Sequence, residues 1–165
     1  MTHEQKIYAS ADRSLTTIFL DFDGVLHPVG AQADRLFEKA ALLAEVLKEQ
    51  SNTEVVISSS WAAYRSLQQI KDLLKTWPAL TSLIAGKTQQ RLGEWGSQSD
   101  FPERETQCLD WLISNERSLY RWIAIDENIQ NFATRERLRH TKSTVGLTPT
   151  DLAALQRMLL GAPGR

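Results

Sequence analysis

The chain alternates short apolar runs with longer amphipathic stretches. Ile18, Phe19 and Leu20 make an apolar run that reads as a buried strand. Beyond it Asp34 opens a predicted helix that runs to about Gln50. Leu36, Phe37, Ala40, Leu43, Ala44 and Leu47 recur in it at helical spacing, and Ser51-Asn52 ends it. Glu54-Val55-Val56-Ile57 is a second, β-branched strand that closes in Ser58-Ser59-Ser60. The next helix is expected from about Trp61 to Lys75, with Tyr64, Leu67, Ile70, Leu73 and Leu74 on its apolar side and Pro78 as its stop. Residues 82–85 suggest a third strand. Residues 86–102 are polar, without a clear period, and read as a long surface loop. Helical spacing resumes over 103–115 through Leu109, Leu112 and Ile113. Residues 122–125 form a buried strand ending in Asp126-Glu127-Asn128, and a weaker strand is expected over 140–145. The last helix has Thr148 as N-cap, Pro149 in its first position and Asp151 in its third, with Leu152, Leu155, Met158 and Leu159 inward. Strands alternating with helices predict a three-layer α/β sandwich around a mostly parallel sheet.

Composition adds bounds rather than a function. At 165 residues the chain has the length of one domain, and 42% apolar with 24% charged residues is ordinary for a globular protein. A net charge of −1 gives no general attraction to nucleic acid or to a membrane surface. The single cysteine, Cys108, allows no intramolecular disulfide, and a reducing compartment is the simplest expectation. Next to Leu109 in a helical pattern, Cys108 reads as a small core residue. Residues 1–14 are polar, lack an apolar h-region and are expected to be a flexible N-terminus. No stretch approaches the about 20 apolar residues of a membrane span, so a cytoplasmic protein without a membrane partner is expected.

The candidate chemistry sits at the strand ends. The first run stops in Asp21 and Asp23, two positions apart, and Gly24 starts the turn that leaves it. In an open parallel sheet ligands bind at the carboxyl ends of the strands. An Asp there can act as nucleophile, and a second Asp two residues on can move protons in and out of the same site. Carboxylates beside a phosphate also suit Mg²⁺. The second strand ends in Ser58 and Ser59, whose hydroxyls and following amides can bind phosphate oxygens. The later strand ends in Asp126 and Glu127, a second acidic cluster to complete the metal site. A cation should offset the charge of the transferring phosphoryl group, and Arg104 or Lys87 is the candidate. Singly, these are a strand-end turn, a helix cap and a surface cation. Asp21 with Asp23, the serines from Ser58, and Asp126 with Glu127, each at a strand end and in this order, point to phosphoryl transfer.

Leu20-Asp21-Phe22-Asp23-Gly24-Val25-Leu26 resembles the first motif of the haloacid dehalogenase-like (HAD) phosphohydrolases. Val55-Val56-Ile57-Ser58 resembles their second motif, and Ile123-Ala124-Ile125-Asp126-Glu127 their fourth. The chain is also similar to a small branch, the HAD domains associated with bacterial RNA repair proteins. The resemblance there is carried by Ser58 to Trp61, the helix from Arg104 to Leu112, the acid pair, and Gly146-Leu147-Thr148. It implies one HAD-like, Rossmann-like domain with minimal or no cap, acting as a Mg²⁺-dependent phosphatase. Asp21 would form an aspartyl-phosphate, and Asp23 would protonate the leaving group and then activate water. Mg²⁺ would be bound by the Asp21 carboxylate, the Asp23 carbonyl and Asp126, with Glu127 beside it. Ser58 and Ser59 would hold the phosphoryl group with Arg104. Glu127 departs from the Asp of many relatives, and Arg104-Glu105-Thr106-Gln107-Cys108 departs from the branch's R-x-x-E-I helix.

The segments after the first and second motifs have room for helices and loops but not for a folded cap. An uncapped site implies a large phosphorylated substrate, such as RNA or DNA ends or a protein. Arg91, Trp95 and Phe101 in the long loop are placed either to stack on bases or to anchor that loop. The competing reading is a catalytically idle HAD-like binding module, against which the presence of Asp23 argues. A phosphorelay receiver domain fits less well, because its phosphorylated Asp follows the third strand.

Overall fold

The computed structural model describes residues 15–90 and 99–161. Strand β1 (Thr16–Leu20) is buried at all its positions because it lies at the centre of the sheet. It pairs in parallel with β2 (Thr53–Ile57) on one side and with β4 (Trp122–Asp126) on the other. Between these in sequence lie α1 (Ala40–Leu47), α2 (Trp61–Tyr64), α3 (Leu67–Leu73), α4 (Pro78–Thr81), β3 (Ile84–Lys87) and α5 (Glu103–Ser114). β5 (Leu138–His140) and α6 (Pro149–Leu160) complete the chain. The order across the sheet is β3-β2-β1-β4-β5, and every pairing is parallel. The chain runs outward from β1 to β3, then returns past β1 to β4. The reversal puts a crevice beyond the carboxyl ends of β1 and β4.

Period-two alternation divides the core. Ile18, Leu20, Val55, Ile57, Ile123 and Ile125 pack under α1, α3, α4 and α6. Phe19, Val56 and Ala124 face the opposite way, against Cys108 and Leu112 of α5. These two clusters are the three-layer α/β/α sandwich that the strand–helix alternation predicts. On the α5 side Glu54 is buried, accepts a hydrogen bond from Thr17 at 2.8 Å and meets the Arg117 fork at 2.8 and 3.0 Å. Burial pushes the Cys108 thiol up to about 12, which makes it a packing residue. Among the described residues no helix is long and apolar enough to cross a membrane.

Local chemistry moves several boundaries. The helix expected from Asp34 begins only at Ala40, after a single 3-10 turn over Ala33–Arg35. Phe37 breaks it by adopting φ 60°, a conformation held by edge-on packing against Phe22, His27 and Trp61. The helix expected from Trp61 to Lys75 is interrupted at Arg65, which is extended. Ser66 then starts α3 through a reciprocal capping box with Gln69. Tyr64, expected on the apolar side, is 83% exposed. Pro78 does not merely stop a helix; it opens α4. β3 lies two residues later than expected, where Gly86 and Lys87 pair with Val56 and Ile57. β5 is Leu138–His140, and the segment expected to extend it closes instead as a turn from Lys142 to Gly146. Thr148 is the N-cap of α6 and Pro149 its first residue, as expected, and Asp151 bonds back to Thr148 in a reciprocal capping box. Arg91 and Trp95 lie outside the described residues, and Phe101 is exposed.

Candidate active site

The register brings three strand ends together. Leu20 stands opposite Ile57 and Ile125, Asp21 N–H donates to Ile125 O at 3.1 Å, and Ser58 N–H donates to Leu20 O at 2.8 Å. Asp21 and Asp126 therefore emerge side by side at the mouth of the crevice. Asp21, Asp126 and Glu127 each offer an oxygen, and these oxygens lie within 4.8 Å of one another. Asp21 and Asp126 are buried. Burial, followed by the charge of Asp126, pushes Asp21 up to about 7, against the opposing pull of Arg104, the Phe22 N–H and the Ser59 hydroxyl. Burial likewise raises Asp126, and burial together with Asp126 raises Glu127. Three carboxylates in one small volume repel one another, and a cation shared among them would relieve that repulsion. A donor set made of carboxylate oxygens suits a hard ion such as Mg²⁺.

Each acid is held by its own scaffold. Phe22 N–H donates to Asp21 Oδ1 at 2.7 Å. Asp126 accepts Asn128 N–H at 2.7 Å, and the Asn131 amide reaches its two oxygens at 3.2 and 3.3 Å. Glu105 lies under that loop, fully buried, and accepts from Ala133 N–H at 2.5 Å and from Thr134. Gly24 has φ +75°, and a Cβ there would meet the Glu127 side chain at 2.6 Å, so the turn after β1 lets Glu127 lie across it. Gly146, at φ +77°, is equally confined, because a Cβ would meet Val25 O at 2.7 Å. Leu147 N–H donates to Val25 O at 2.8 Å, and Thr141 Oγ1 donates to Gly24 O at 2.7 Å. Leu147 and Thr141 thus clamp the loop that follows the first two acids.

Asp23 stands apart from the three-carboxylate cluster. Its side chain is 42% exposed, and each of its oxygens receives a donor. Trp61 Nε1–H donates to Oδ2 at 2.9 Å. His27 Nε2 lies 2.9 Å from Oδ1, while His27 Nδ1 accepts the Phe37 N–H at 3.2 Å. With Nδ1 accepting, the ring proton is on Nε2 and points at Asp23. Asp23 is expected to contribute its backbone carbonyl to the metal, and its carboxylate is directed at His27 and Trp61.

Beside the acids lies a cavity of about 210 Å³, lined by Ser59, Thr88, Arg104, Gln107 and Asn131 among others. Arg104 is in the first turn of α5, and its charge acts on Asp21, Asp126 and Glu127. The alternative cation, Lys87, donates to Ala62 O at 2.7 Å. Of the two serines, Ser59 lines the cavity and bonds to Asp21. The Ser58 hydroxyl lies 3.5 Å from Cys108 Sγ, on the core side. Sequence reasoning left His27 without a role and gave none to Trp61, Glu105 or Asn131. The one available signal was position, since His27 follows the first acid pair closely and Asn131 the second.

An all-parallel sheet in this order, with an acid pair after the central strand and another after its neighbour, defines a HAD-like α/β domain. A family model described as the HAD domain in Swiss Army Knife RNA repair proteins matches residues 17–152, and the chain belongs to that family. No curated protein and no solved structure matches it.

Proposed function

We infer that the chain is a Mg²⁺-dependent phosphatase that works through an aspartyl-phosphate and acts on nucleic-acid ends or another large phosphorylated substrate. The observation that carries this reading is the division of labour between two acids of one strand end. Asp21 is buried among carboxylates beside a cavity with a cation, and Asp23 is half-exposed and held by two donors. Asp21, Asp126 and Glu127 are the residues to hold Mg²⁺, which when bound would neutralise their mutual repulsion and draw electrons from the phosphoryl oxygens. Ser59 and Arg104 bind the phosphoryl group from the cavity side. A carboxylate oxygen of Asp21 attacks phosphorus, and the bond to the ester oxygen breaks. Asp23 gives that oxygen its proton. Asp23, now a carboxylate, takes a proton from water, whose oxygen attacks the same phosphorus, and the bond to Asp21 breaks to release phosphate. His27 and Trp61 aim Asp23 through both of its oxygens in each half of the cycle.

The family's link to RNA repair supports the nucleic-acid substrate class. The test is phosphate release from p-nitrophenyl phosphate and from oligonucleotides carrying 3′- or 5′-phosphates, with and without Mg²⁺, beside Asp21→Asn. Release that needs both Mg²⁺ and Asp21 is the expected result. Folded wild-type protein that is silent on every member would leave the idle binding module as the better description.

A further inference from the structure

The phosphate cavity does not end at α5. A second cavity, of about 440 Å³, runs between α5 and the edge strand β3, and Gln90 and Gln107 line both. The two spaces therefore adjoin, the first next to the acids and the second further along α5. Their linings differ in chemistry. The first has, beside Glu103 and the amides of Gln90, Gln107 and Asn131, the Arg104 guanidinium and the hydroxyls of Ser59, Ser60 and Thr88, which suit phosphate oxygens. The second has the amides of Gln89, Gln90, Gln107 and Asn115 around the indole of Trp111.

The indole is firmly seated. A Cβ on Gly86 would lie 2.9 Å from Trp111 Nε1 and 3.1 Å from Cζ2, so the ring rests directly on the backbone of β3. Phe19 meets it edge-on with centroids 6.2 Å apart, and the Arg117 guanidinium stands 6.0 Å from its centre. Gln107 is buried and bonds to Glu103 at 3.3 Å, which fixes an amide at the junction of the two spaces. Lys87 also lines the second space, but its ammonium is engaged by Ala62 O. Besides Lys87, the polar lining of that space is the Trp111 indole, the side-chain amides, the Asp110 carboxylate and the Ser114 hydroxyl. An aromatic plane among such polar groups suits a nucleobase, which stacks by its face and presents donors and acceptors along its edge.

We propose that the Gln107–Trp111 cavity is a nucleoside subsite, holding the base of the nucleotide whose phosphate lies beside Asp21. The proposal rests on the phosphatase reading for the orientation of its ligand and makes a separate demand on binding. The substrate is then a nucleotide or a nucleic-acid terminus, recognised through one nucleoside next to the scissile phosphate.

The experiment is titration calorimetry with Asp21→Asn in Mg²⁺, which binds without turnover. The ligands are the ribonucleoside 3′- and 5′-monophosphates, ribose 5-phosphate as the base-free control, and a phosphoserine peptide. At least one nucleotide is expected to bind about 10-fold or more tighter than ribose 5-phosphate, the range of one stacked base. That advantage should fall below about 3-fold when Trp111→Ala is added, because the stacking term is then gone. Gly86→Ala, which displaces the indole without removing it, should reduce the advantage as well. Inhibition of wild-type ribose 5-phosphate hydrolysis by phosphate-free nucleosides provides a check that needs no variant at the subsite. Equal affinity for nucleotides and ribose 5-phosphate, or tighter binding of the phosphoserine peptide, overturns the subsite even if phosphatase activity stands. Base-dependent binding without hydrolysis by wild-type protein overturns the phosphatase reading and leaves the subsite.

Discussion

Asp21 and Asp23 are two residues apart on one strand end, yet they live in different media. Asp21 is 7% exposed, faces Asp126 and is pushed up to about 7 by burial and by that neighbour. The Asp23 side chain is 42% exposed and accepts hydrogen bonds from neutral donors, Trp61 and a histidine whose tautomer is set by the Phe37 amide. The first environment crowds three carboxylates together; the second holds one carboxylate between two donors. The comparison teaches that a D-x-D motif is two sites, made distinct by what the neighbouring strands bring to each.

The sharpest way to break the comparison is to remove the charge of Asp21. Asp21→Asn should lower phosphate release on the order of 10³-fold or more, as loss of a covalent nucleophile does. The same change should raise the melting temperature of metal-free protein at pH 8, because it relieves a buried carboxylate. A variant that melts lower than wild type under those conditions would contradict the buried-repulsion account. Asp23→Asn should lower kcat by about 10²–10⁴-fold, the usual span for a general acid and base. Unlike Asp21→Asn, it should keep the full thermal stabilisation by Mg²⁺, since its carboxylate is outside the cluster.

A third prediction concerns pH. The folded-state pKa of Asp21 lies above its unfolded value, so its contribution is complete below the ordinary carboxylate range. It is lost as pH rises through about 7. For metal-free protein the loss is about 4 kcal/mol at its upper limit. Melting temperatures at pH 5 and pH 8 should differ without Mg²⁺ and converge with it. A pH-independent metal-free protein would show that Asp21 is ionised throughout. The smallest effect belongs to aim. Trp61→Phe keeps the ring contacts with Phe22 and Phe37 and removes the donor to Asp23 Oδ2. It should cost about 1 kcal/mol in the chemical step, roughly a five-fold drop in kcat. KM for p-nitrophenyl phosphate should stay unchanged.

The sequence made the sheet legible because parallel strands buried on both faces are continuous apolar runs, and each such run here stops at a polar strand end. Residues 18–20, 54–57 and 122–125 were readable for that reason, as was the capped start of α6. The segments between β1 and β3 were less so. Phe37 lies in a helical pattern but leaves the helix to pack against Trp61, a tertiary preference that no local period records. Ser66 and Gln69 did carry a local capping signal, masked by apolar residues on both sides of it. At the site, the acids were legible and their holders were not. Trp61 and Glu105 act across folds of the chain, 38 and 28 residues from Asp23 and Ala133, while His27 and Asn131 hold acids four and five residues away through loop conformations that no periodicity records. Spacing alone left Arg104 and Lys87 open as the cation; in the fold the charge of Arg104 acts on Asp21, Asp126 and Glu127, and the Lys87 ammonium donates to Ala62 O.

The sheet order also sets when the site exists during synthesis. β1 lies at the centre, and its neighbour β4 is the fourth of the five described strands in chain order. A nascent chain that has exposed only β1 to β3 has Asp21 and Asp23 but neither Asp126 nor Glu127, so it lacks the three-carboxylate cluster. The cluster therefore assembles late, after most of the core is available to fold around it. A cation held by all three acids would need the chain folded as far as β4.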